Sequence, residues 1–161
     1  MRALSTAIPA LLATLLFAAS AARAQAPAAA DAKPGFDAEM AKAVAADDYG
    51  MRRYVLVILK TGPTPVPAGA QRDEVFKGHF ANMARLAAEG KLAFAGPLDG
   101  VEGRRGIFVF AVPDIEEAKK LAATDPVLVS GEMVAEYHRL YGSAALMLVN
   151  EQHKRVQKKS F

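Results

Sequence analysis

Two short apolar runs decide the fold: YVLVIL at residues 54–59 and GIFVFAV at residues 106–112. Both are rich in β-branched and aromatic residues and too short for a buried helix, so each predicts a buried strand. The first lies in a predicted strand over residues 53–60. Because neither run alternates apolar with polar residues, both faces of the resulting sheet need a cover.

The remaining elements follow outward from these strands. Apolar residues at helical spacing predict a helix over residues 71–89, and Gly90 suits its C-terminal cap. Residues 91–98 and 132–141 predict two more strands, and residues 115–123 a second helix with Asp114 and Glu117 as a capping box. The order strand, helix, strand, strand, helix, strand is that of the ferredoxin-like fold, an α+β sandwich.

The chain divides into four predicted parts. Residues 1–24 form a signal peptide and residues 25–50 a flexible lead-in with a short helix at residues 36–46. Residues 51–141 form the ferredoxin-like domain. Residues 142–161 form a basic amphipathic terminal helix capped by Ser143. Its inward positions are predicted to be Leu146, Val149 and Val156.

The amino terminus has the pattern of a secretory signal. An apolar run over residues 7–19 follows Arg2, and small residues at Ala22 and Ala24 predict cleavage before Gln25. The alternative is a membrane anchor, but spanning a bilayer takes about 20 apolar residues. This run is shorter and Pro9 interrupts it. We therefore expect an exported protein, periplasmic or secreted, with no stable membrane insertion after cleavage.

Composition excludes several classes of protein. The 161-residue chain has no cysteine, so it holds no disulfide, thiolate metal site or lipid anchor on cysteine. Its formal charge is +3, but the basic excess lies at the two ends. Residues 25–150 carry 14 basic and 16 acidic side chains. A nucleic-acid interface needs a basic folded face, so no nucleic-acid partner is expected. The basic tail is typical of a solvated helix face, with membrane headgroups as the weaker alternative.

The second face of the sheet has two candidate covers. Two helices cover only one face of a four-stranded sheet, so the other would expose an apolar patch. A second copy of the chain, sheet against sheet with a cavity between, is the cover we favour, which predicts a homodimer. The terminal helix is the competing cover.

His79 is the first candidate for chemistry. It lies four residues after Val75 and four before Met83, at the margin of the apolar stripe of its helix. Histidine suits acid–base work near neutral pH. The plainer interpretation is a half-buried helix histidine beside Phe80, bonded to a backbone carbonyl.

Asp125 is the second candidate. Aspartate before proline is the expected way to begin a helical turn, so Asp125 followed by Pro126 is first an N-cap. The other carboxylate oxygen of such a cap can still reach an imidazole. Gly96 and Pro97 end the second predicted strand. Their primary interpretation is a turn, and the alternative is a place where a ligand approaches the backbone.

Several short sequence motifs, taken together, identify a family more specifically than any single residue does. They are GHF at residues 78–80, LAAEGKLAFAGP at 86–97, GIFVF at 106–110, EEAK at 116–119 and TDP at 124–126. In this order and spacing the chain resembles the YCII-related family over roughly residues 52–141, and the flanks at 49–62 and 141–146 look like an exported branch.

The resemblance implies a ferredoxin-like fold that dimerises as an α+β barrel. It also implies a site built from a helix histidine and the aspartate of the DP turn, which correspond to His79 and Asp125. A relative acts on lactone rings in the manner of a muconolactone isomerase, which implies proton transfer next to a carbonyl. Asp125 would orient His79, which would move a proton on a small substrate held between the sheets.

The fourth predicted strand offers secondary substrate contacts. Glu136 and His138 lie on one of its faces, and Tyr137 and Arg139 on the other. Parity alone leaves open which pair lines a cavity.

The sequence leaves the activity open between three hypotheses. The first is an isomerase-like or lyase-like enzyme with His79 and Asp125 as acid–base pair. The second is a non-catalytic small-ligand binder or interaction module with the same dimer cavity. In the third, the pair only stabilises the fold. No cofactor is expected, because the chain has no Gly-rich phosphate loop, no serine nucleophile elbow and no HxH or HExxH spacing for a metal.

Overall fold

The computed structural model describes residue 33 and residues 35–159. The predicted signal peptide, and residues 25–32 and 34 of the predicted lead-in, lie outside the described residues. All described helices and strands belong to one unit that begins at Asp37. In chain order they are α1 (Ala38–Ala43), β1 (Met51–Thr61), α2 (Ala70–Ala88), β2 (Leu92–Pro97), β3 (Arg104–Phe110), α3 (Ile115–Ala122), α4 (Pro126–Val129), β4 (Met133–Ser143) and α5 (Val149–Val156), with 3-10 helices at Val101–Gly103 and Ala144–Leu148.

The strands form an antiparallel sheet in the order β2-β3-β1-β4. The two apolar runs of the sequence form its central strands, β3 and β1. The β1 and β4 strands pair along their whole length, from Met51 opposite Ser143 to Thr61 opposite Met133. The predicted α+β, ferredoxin-like class is therefore confirmed. Within the described residues, no helix combines the length and the apolar character that crossing a bilayer requires.

One face of the sheet, called here the helix face, packs against α2, α3 and α4. Alternate residues of β1 and β3 enter this core, because successive strand side chains point to opposite faces. Each large apolar side chain fully buried there contributes about 1.5–3 kcal/mol. The core includes Val55, Val57, Leu59, Phe108 and Phe110 from the strands and Leu86, Ala118, Ala122 and Val127 from the helices.

The opposite, outer face is covered at one end by the chain's own carboxyl terminus. Leu146 and Met147 pack against the buried residues Tyr54, Ala93 and Val109. The Tyr54 hydroxyl donates to the Ser143 carbonyl at 2.9 Å, and Asn150 Nδ2 donates to the Leu92 carbonyl at 2.8 Å. The competing cover predicted from the sequence is thus present over part of this face.

The rest of the outer face keeps an apolar patch. Ile58 and Ile107 stand opposite each other at its centre and are half-buried. Phe94 and Val134 flank them and are 38% and 44% exposed. The terminal segment leaves this patch uncovered within the described residues.

The terminal helix and the capping box differ from the prediction. The segment after Ser143 begins as a 3-10 helix, and the α-helix starts only at Val149. Val156 was expected to point inward but is 79% exposed, and no residue of α5 is buried. Asp114 caps α3 through the Glu117 amide at 2.9 Å as predicted. The Glu117 side chain instead accepts from Lys91 Nζ, which offers it a charged partner.

Glu132 fixes the proline-rich loop after β1 to the start of β4. Its side chain is 2% exposed; Oε2 accepts from the Val66 amide at 2.6 Å and Oε1 from Arg72 Nη2 at 2.9 Å. Arg72 in turn lies over the Phe76 ring, 4.5 Å from its centroid. Burial acts to raise the pKa of Glu132. The Val66 amide and the Arg72 guanidinium outweigh it and hold that pKa below its usual value.

Replacing Glu132 by glutamine should cost about 2–3 kcal/mol of unfolding free energy at neutral pH, because Arg72 and the Val66 amide lose a charged acceptor. The pKa is lower in the folded state, so the ionised pair contributes fully above the unfolded value of about 4.5. Its contribution is lost as pH falls through the folded-state value. Urea unfolding from about pH 7 down to pH 3 should therefore show the gap between wild type and E132Q shrinking.

Glu74→Gln is the matched control, since Glu74 is exposed and pairs with Lys77 within one helix turn. It should change stability by less than about 0.5 kcal/mol. An E132Q gap that stays constant across this pH range would contradict the role given to the charge.

Candidate acid–base site

His79 lies in the middle of α2 and points toward the helix face of the sheet. Its ring lies 5.8 Å from that of Phe108 in β3, centroid to centroid, with Phe76 and Phe80 of its own helix at 6.0 and 5.5 Å. The residue is 7% exposed. Three aromatic rings therefore hold the imidazole on its apolar sides.

Asp125 begins α4 as the sequence predicts. Its Oδ1 accepts from the Val127 amide at 3.1 Å, and Pro126 occupies the first turn. An aspartate at this position satisfies one of the free amides of the helix start. Asp125 is fully buried, although charged side chains are almost never so unless they are paired.

The partner of Asp125 is His79. Nδ1 of the imidazole lies 2.9 Å from both carboxylate oxygens. An ionised carboxylate only accepts hydrogen bonds, so Nδ1 must carry the proton and donate it. When the ring is neutral, this contact leaves the lone pair on Nε2.

Asn82 adds a third donor to the carboxylate. It stands three residues after His79 on the same side of α2 and is also buried. Its Oδ1 accepts from Arg85 Nη2 at 2.8 Å and from Thr124 Oγ1 at 3.0 Å. Those two donors fix the amide orientation, so Nδ2 faces Asp125 Oδ2 at 3.5 Å. The network keeps the carboxylate in place and supplies only donors to it.

The second ring nitrogen of His79, Nε2, is not used by the contact with Asp125. Nε2 has no hydrogen-bond partner within the described residues. Among those same residues, Arg52 Nε is the only buried side-chain nitrogen or oxygen that lacks a partner. His79 Nε2 is therefore not fully buried and keeps some contact with solvent. The neighbouring Phe80 ring is 49% exposed, so the surface beside His79 is partly apolar.

A glycine lets the two halves of the pair approach. Gly78 precedes His79, and a Cβ on Gly78 would lie 2.9 Å from Pro126 Cγ. Any larger residue would force α2 away from the start of α4. The close approach of these helices thus sets the distance between His79 and Asp125.

The comparison with known families decides the identity of the fold. The sequence matches the YCII-related domain over residues 53–138, more than half of the 161-residue chain. The chain belongs to the YCII-related domain family. A comparison with curated proteins gives no match. The matched range contains both His79 and Asp125.

Pairing of the fourth strand places the other predicted site residues of this YCII-related domain. Glu136 pairs with Ile58 and His138 with Leu56, so both lie on the outer face, where His138 Nε2 and Glu136 Oε1 are 2.8 Å apart. Tyr137 pairs with Val57 and lies on the helix face. Burial raises the pKa of the Tyr137 hydroxyl.

The predicted location between two sheets is wrong for His79. His79 and Asp125 lie on the helix face, whereas Glu136 and His138 lie on the outer face, and the sheet separates them. Any molecule that reaches His79 would therefore approach from the helix side. The sequence could not show this, because the margin of an apolar stripe is compatible with either surface.

Gly96 and Pro97 are divided between the faces in the same way. Gly96 pairs with Ile107 on the outer face, and Pro97 pairs with Gly106 on the helix face. A Cβ on Gly106 would lie 3.0 Å from the Gly96 carbonyl oxygen. The absence of a side chain at Gly106 therefore lets β2 and β3 pack closely, which is a structural role for this part of the sheet. Among the described residues, the side-chain hydrogen bonds of His79 are with Asp125 and not with Gly96 or Pro97.

Two surface clefts lie elsewhere on the domain. One is lined by residues at the start of β1 and the end of β4, and the other by residues of α3, α4 and β4. Neither includes His79 or Asp125. Within the part of the chain that the structure describes, no group of three histidine or acidic side chains could hold a metal ion.

Sequence reasoning did not find Asn82 or the role of Gly78. The signal for Asn82 was its spacing of three residues from His79, which places both on one side of a helix. Gly78 stands in a helix interior, where glycine costs up to about 1 kcal/mol relative to alanine. Such a glycine indicates a close contact, but not with which element.

Proposed function

We propose that this YCII-related domain transfers a proton on a small carbonyl or lactone-type compound, with His79 as the acid–base group and Asp125 as its positioning residue. The observation that carries the proposal is the contact of His79 Nδ1 with a buried carboxylate, while Nε2 has no hydrogen-bond partner in the part of the chain that the structure describes. A histidine held in one tautomer by a carboxylate is a usual arrangement for proton transfer.

In the proposed step, Nε2 takes a proton from the carbon next to the substrate carbonyl, and the ring becomes positively charged. Asp125 stabilises that charge through Nδ1–H at 2.9 Å. Nε2 then returns the proton to another atom of the substrate, which completes an isomerisation or an elimination. Asn82 and the Val127 amide hold the carboxylate throughout.

The surroundings of the ring support a mostly apolar substrate. Phe76 and Phe80 flank His79 on α2, and half of the Phe80 surface is open. An apolar substrate body would lie against Phe80 with its carbonyl directed to Nε2. Small-ligand sites are generally apolar with a few directed polar groups.

The test uses solvent deuterium as the readout. Lactones and small carbonyl compounds are first screened by thermal shift, and the binders are followed by proton NMR in deuterated water. Wild type should exchange the hydrogen next to the carbonyl, and His79→Gln should slow that exchange by about 10²–10⁴-fold. His138→Gln is the matched control, because His138 is exposed on the outer face and should leave the rate unchanged.

A second candidate function is non-catalytic binding of such a ligand. The observation that favours it is the small exposed share of His79, 7%, which restricts substrate access to the ring. In the same screen this function gives a thermal shift that depends on His79 without deuterium exchange. If neither shift nor exchange depends on His79, the pair serves only the fold.

We also propose that the chain forms a homodimer through its outer face. The uncovered patch of Ile58, Ile107, Phe94 and Val134 supports it, since a second copy would remove this surface from water. Light scattering at micromolar concentration should report a dimer. Ile58→Glu should give monomers, because two like charges would face each other across the interface, whereas Val156→Glu, at an exposed position on α5, should not. A wild-type monomer would contradict this interface.

Export is proposed from the sequence alone. The apolar run of residues 7–19 and the small residues before Gln25 support cleavage of a signal peptide and a periplasmic or secreted product. Amino-terminal sequencing of the protein recovered from outside the cytoplasm should begin at Gln25. An intact amino terminus would contradict cleavage.

A further inference from the structure

A cleft of about 680 Å³ lies where β1 begins and β4 ends. Its lining includes Arg53, Arg139 and Tyr141, with Asp47 and Pro113. This volume is within the usual range for small-molecule sites, about 300–1,000 Å³. The cleft is separate from the acid–base site and does not depend on its function.

The strand register places two arginines together in this cleft. Arg53 stands opposite Tyr141, and Arg139 stands opposite Val55, so Arg53 and Arg139 are diagonal neighbours on the helix face. Diagonal neighbours on one face of a sheet are about 7–8 Å apart, within reach of long side chains. Both guanidinium groups can therefore contact one small molecule.

Among the described residues, neither arginine has an acidic partner. Within the described residues, Arg53 and Arg139 form no ion pair and no side-chain hydrogen bond. The one carboxylate of the lining, Asp47, is already engaged: it accepts from the Tyr141 hydroxyl and from the amides of Tyr49 and Met51. The cleft therefore offers two guanidinium groups that no described acidic side chain pairs with.

We propose that this cleft binds a small molecule through a carboxylate or phosphate group held by Arg53 and Arg139. The guanidinium fork matches the paired oxygens of either anion and forms charge-assisted hydrogen bonds with them. The Tyr141 hydroxyl is fixed by Asp47 and forms a rigid wall beside the anion.

The test titrates the purified protein with inorganic phosphate and, separately, with citrate, at an ionic strength kept constant with sodium chloride. Isothermal titration calorimetry should show saturable binding of at least one probe, and the tighter probe identifies the anion class. The double variant Arg53→Gln with Arg139→Gln should weaken that binding by at least about 10-fold, because both charged donors are lost. Both side chains are exposed, so circular dichroism should show an unchanged fold.

The control variant removes two charges outside the cleft, Arg104→Gln with Arg155→Gln. These exposed side chains contact Glu102 and Gln152. This variant should bind like wild type, which separates the cleft from the overall charge of the protein. Absence of saturable binding of both probes would overturn the proposal, as would equal weakening in the two double variants.

Discussion

Replacing Asp125 by asparagine is expected to slow proton transfer by about 10²–10⁴-fold while the fold stays largely intact. Asparagine is as good an N-cap as aspartate, so its oxygen can still accept from the Val127 amide. Its amide nitrogen then takes the position of Oδ2, next to His79 Nδ1. That nitrogen donates, so of the two oxygens that lay 2.9 Å from Nδ1 only Oδ1 still accepts, and Oδ1 also receives the Val127 amide. The neutral ring therefore shifts its proton toward Nε2, which blocks the atom proposed as the base.

Replacing Asp125 by alanine separates the role of Asp125 in orienting His79 from its contribution to the stability of the fold. Alanine removes the cap and leaves Nδ1 of His79 and Nδ2 of Asn82 without their buried acceptor. We expect a loss of about 2–4 kcal/mol of unfolding free energy. Urea unfolding of the two variants should show D125N much closer to wild type than D125A. Equal losses in both would mean that the negative charge itself, and not the cap, stabilises the fold.

Replacing Gly78 by alanine is expected to disrupt the site from a position that does not contact the substrate. In an exposed helix this change stabilises by up to about 1 kcal/mol. Here the new Cβ would lie 2.9 Å from Pro126 Cγ, on a ring that cannot rotate away. Overpacking of this kind costs about 1–3 kcal/mol. We expect lower stability and at least about a 10-fold loss of activity, because α2 moves away from Asp125.

Ala84→Gly is the matched control for this prediction. Ala84 is exposed on the same helix, so the change should cost about 1 kcal/mol through propensity alone. Activity measured well below the melting temperature should stay unchanged. If Gly78→Ala instead stabilises the protein and keeps its activity, the helix contact does not set the geometry of the pair.

The fold could be predicted because its signals are local. The two apolar runs that form β1 and β3 carry apolar residues on both faces, more than a sheet covered on one face requires. Asp125 followed by Pro126 marks the start of α4. Each signal lies within a few consecutive residues, so it can be recognised without knowing which residues contact each other in the folded chain. The inward face of the terminal helix could not be predicted in full, since Val156 has helical spacing whether or not a sheet lies beneath it.

The site could be predicted only in part because its geometry depends on distant residues. His79 and Asp125 were named, but 46 positions separate them, and their contact depends on Gly78 and Pro126. The alternation of side chains along the fourth strand predicted that Glu136 and His138 lie on one face and Tyr137 on the other. It did not predict which face the helices cover. The arginine cleft depends on the register of β1 and β4, which no local pattern specifies.

The most direct test of the account is the proton position on His79, measured by nitrogen-15 NMR of the imidazole at a pH where the ring is neutral. The account predicts a protonated Nδ1 and an unprotonated Nε2 in wild type, with a shift toward the opposite tautomer in Asp125→Asn. A wild-type ring protonated on Nε2 and not on Nδ1 would contradict it, because the free nitrogen would then face Asp125 and the exposed one could not act as a base.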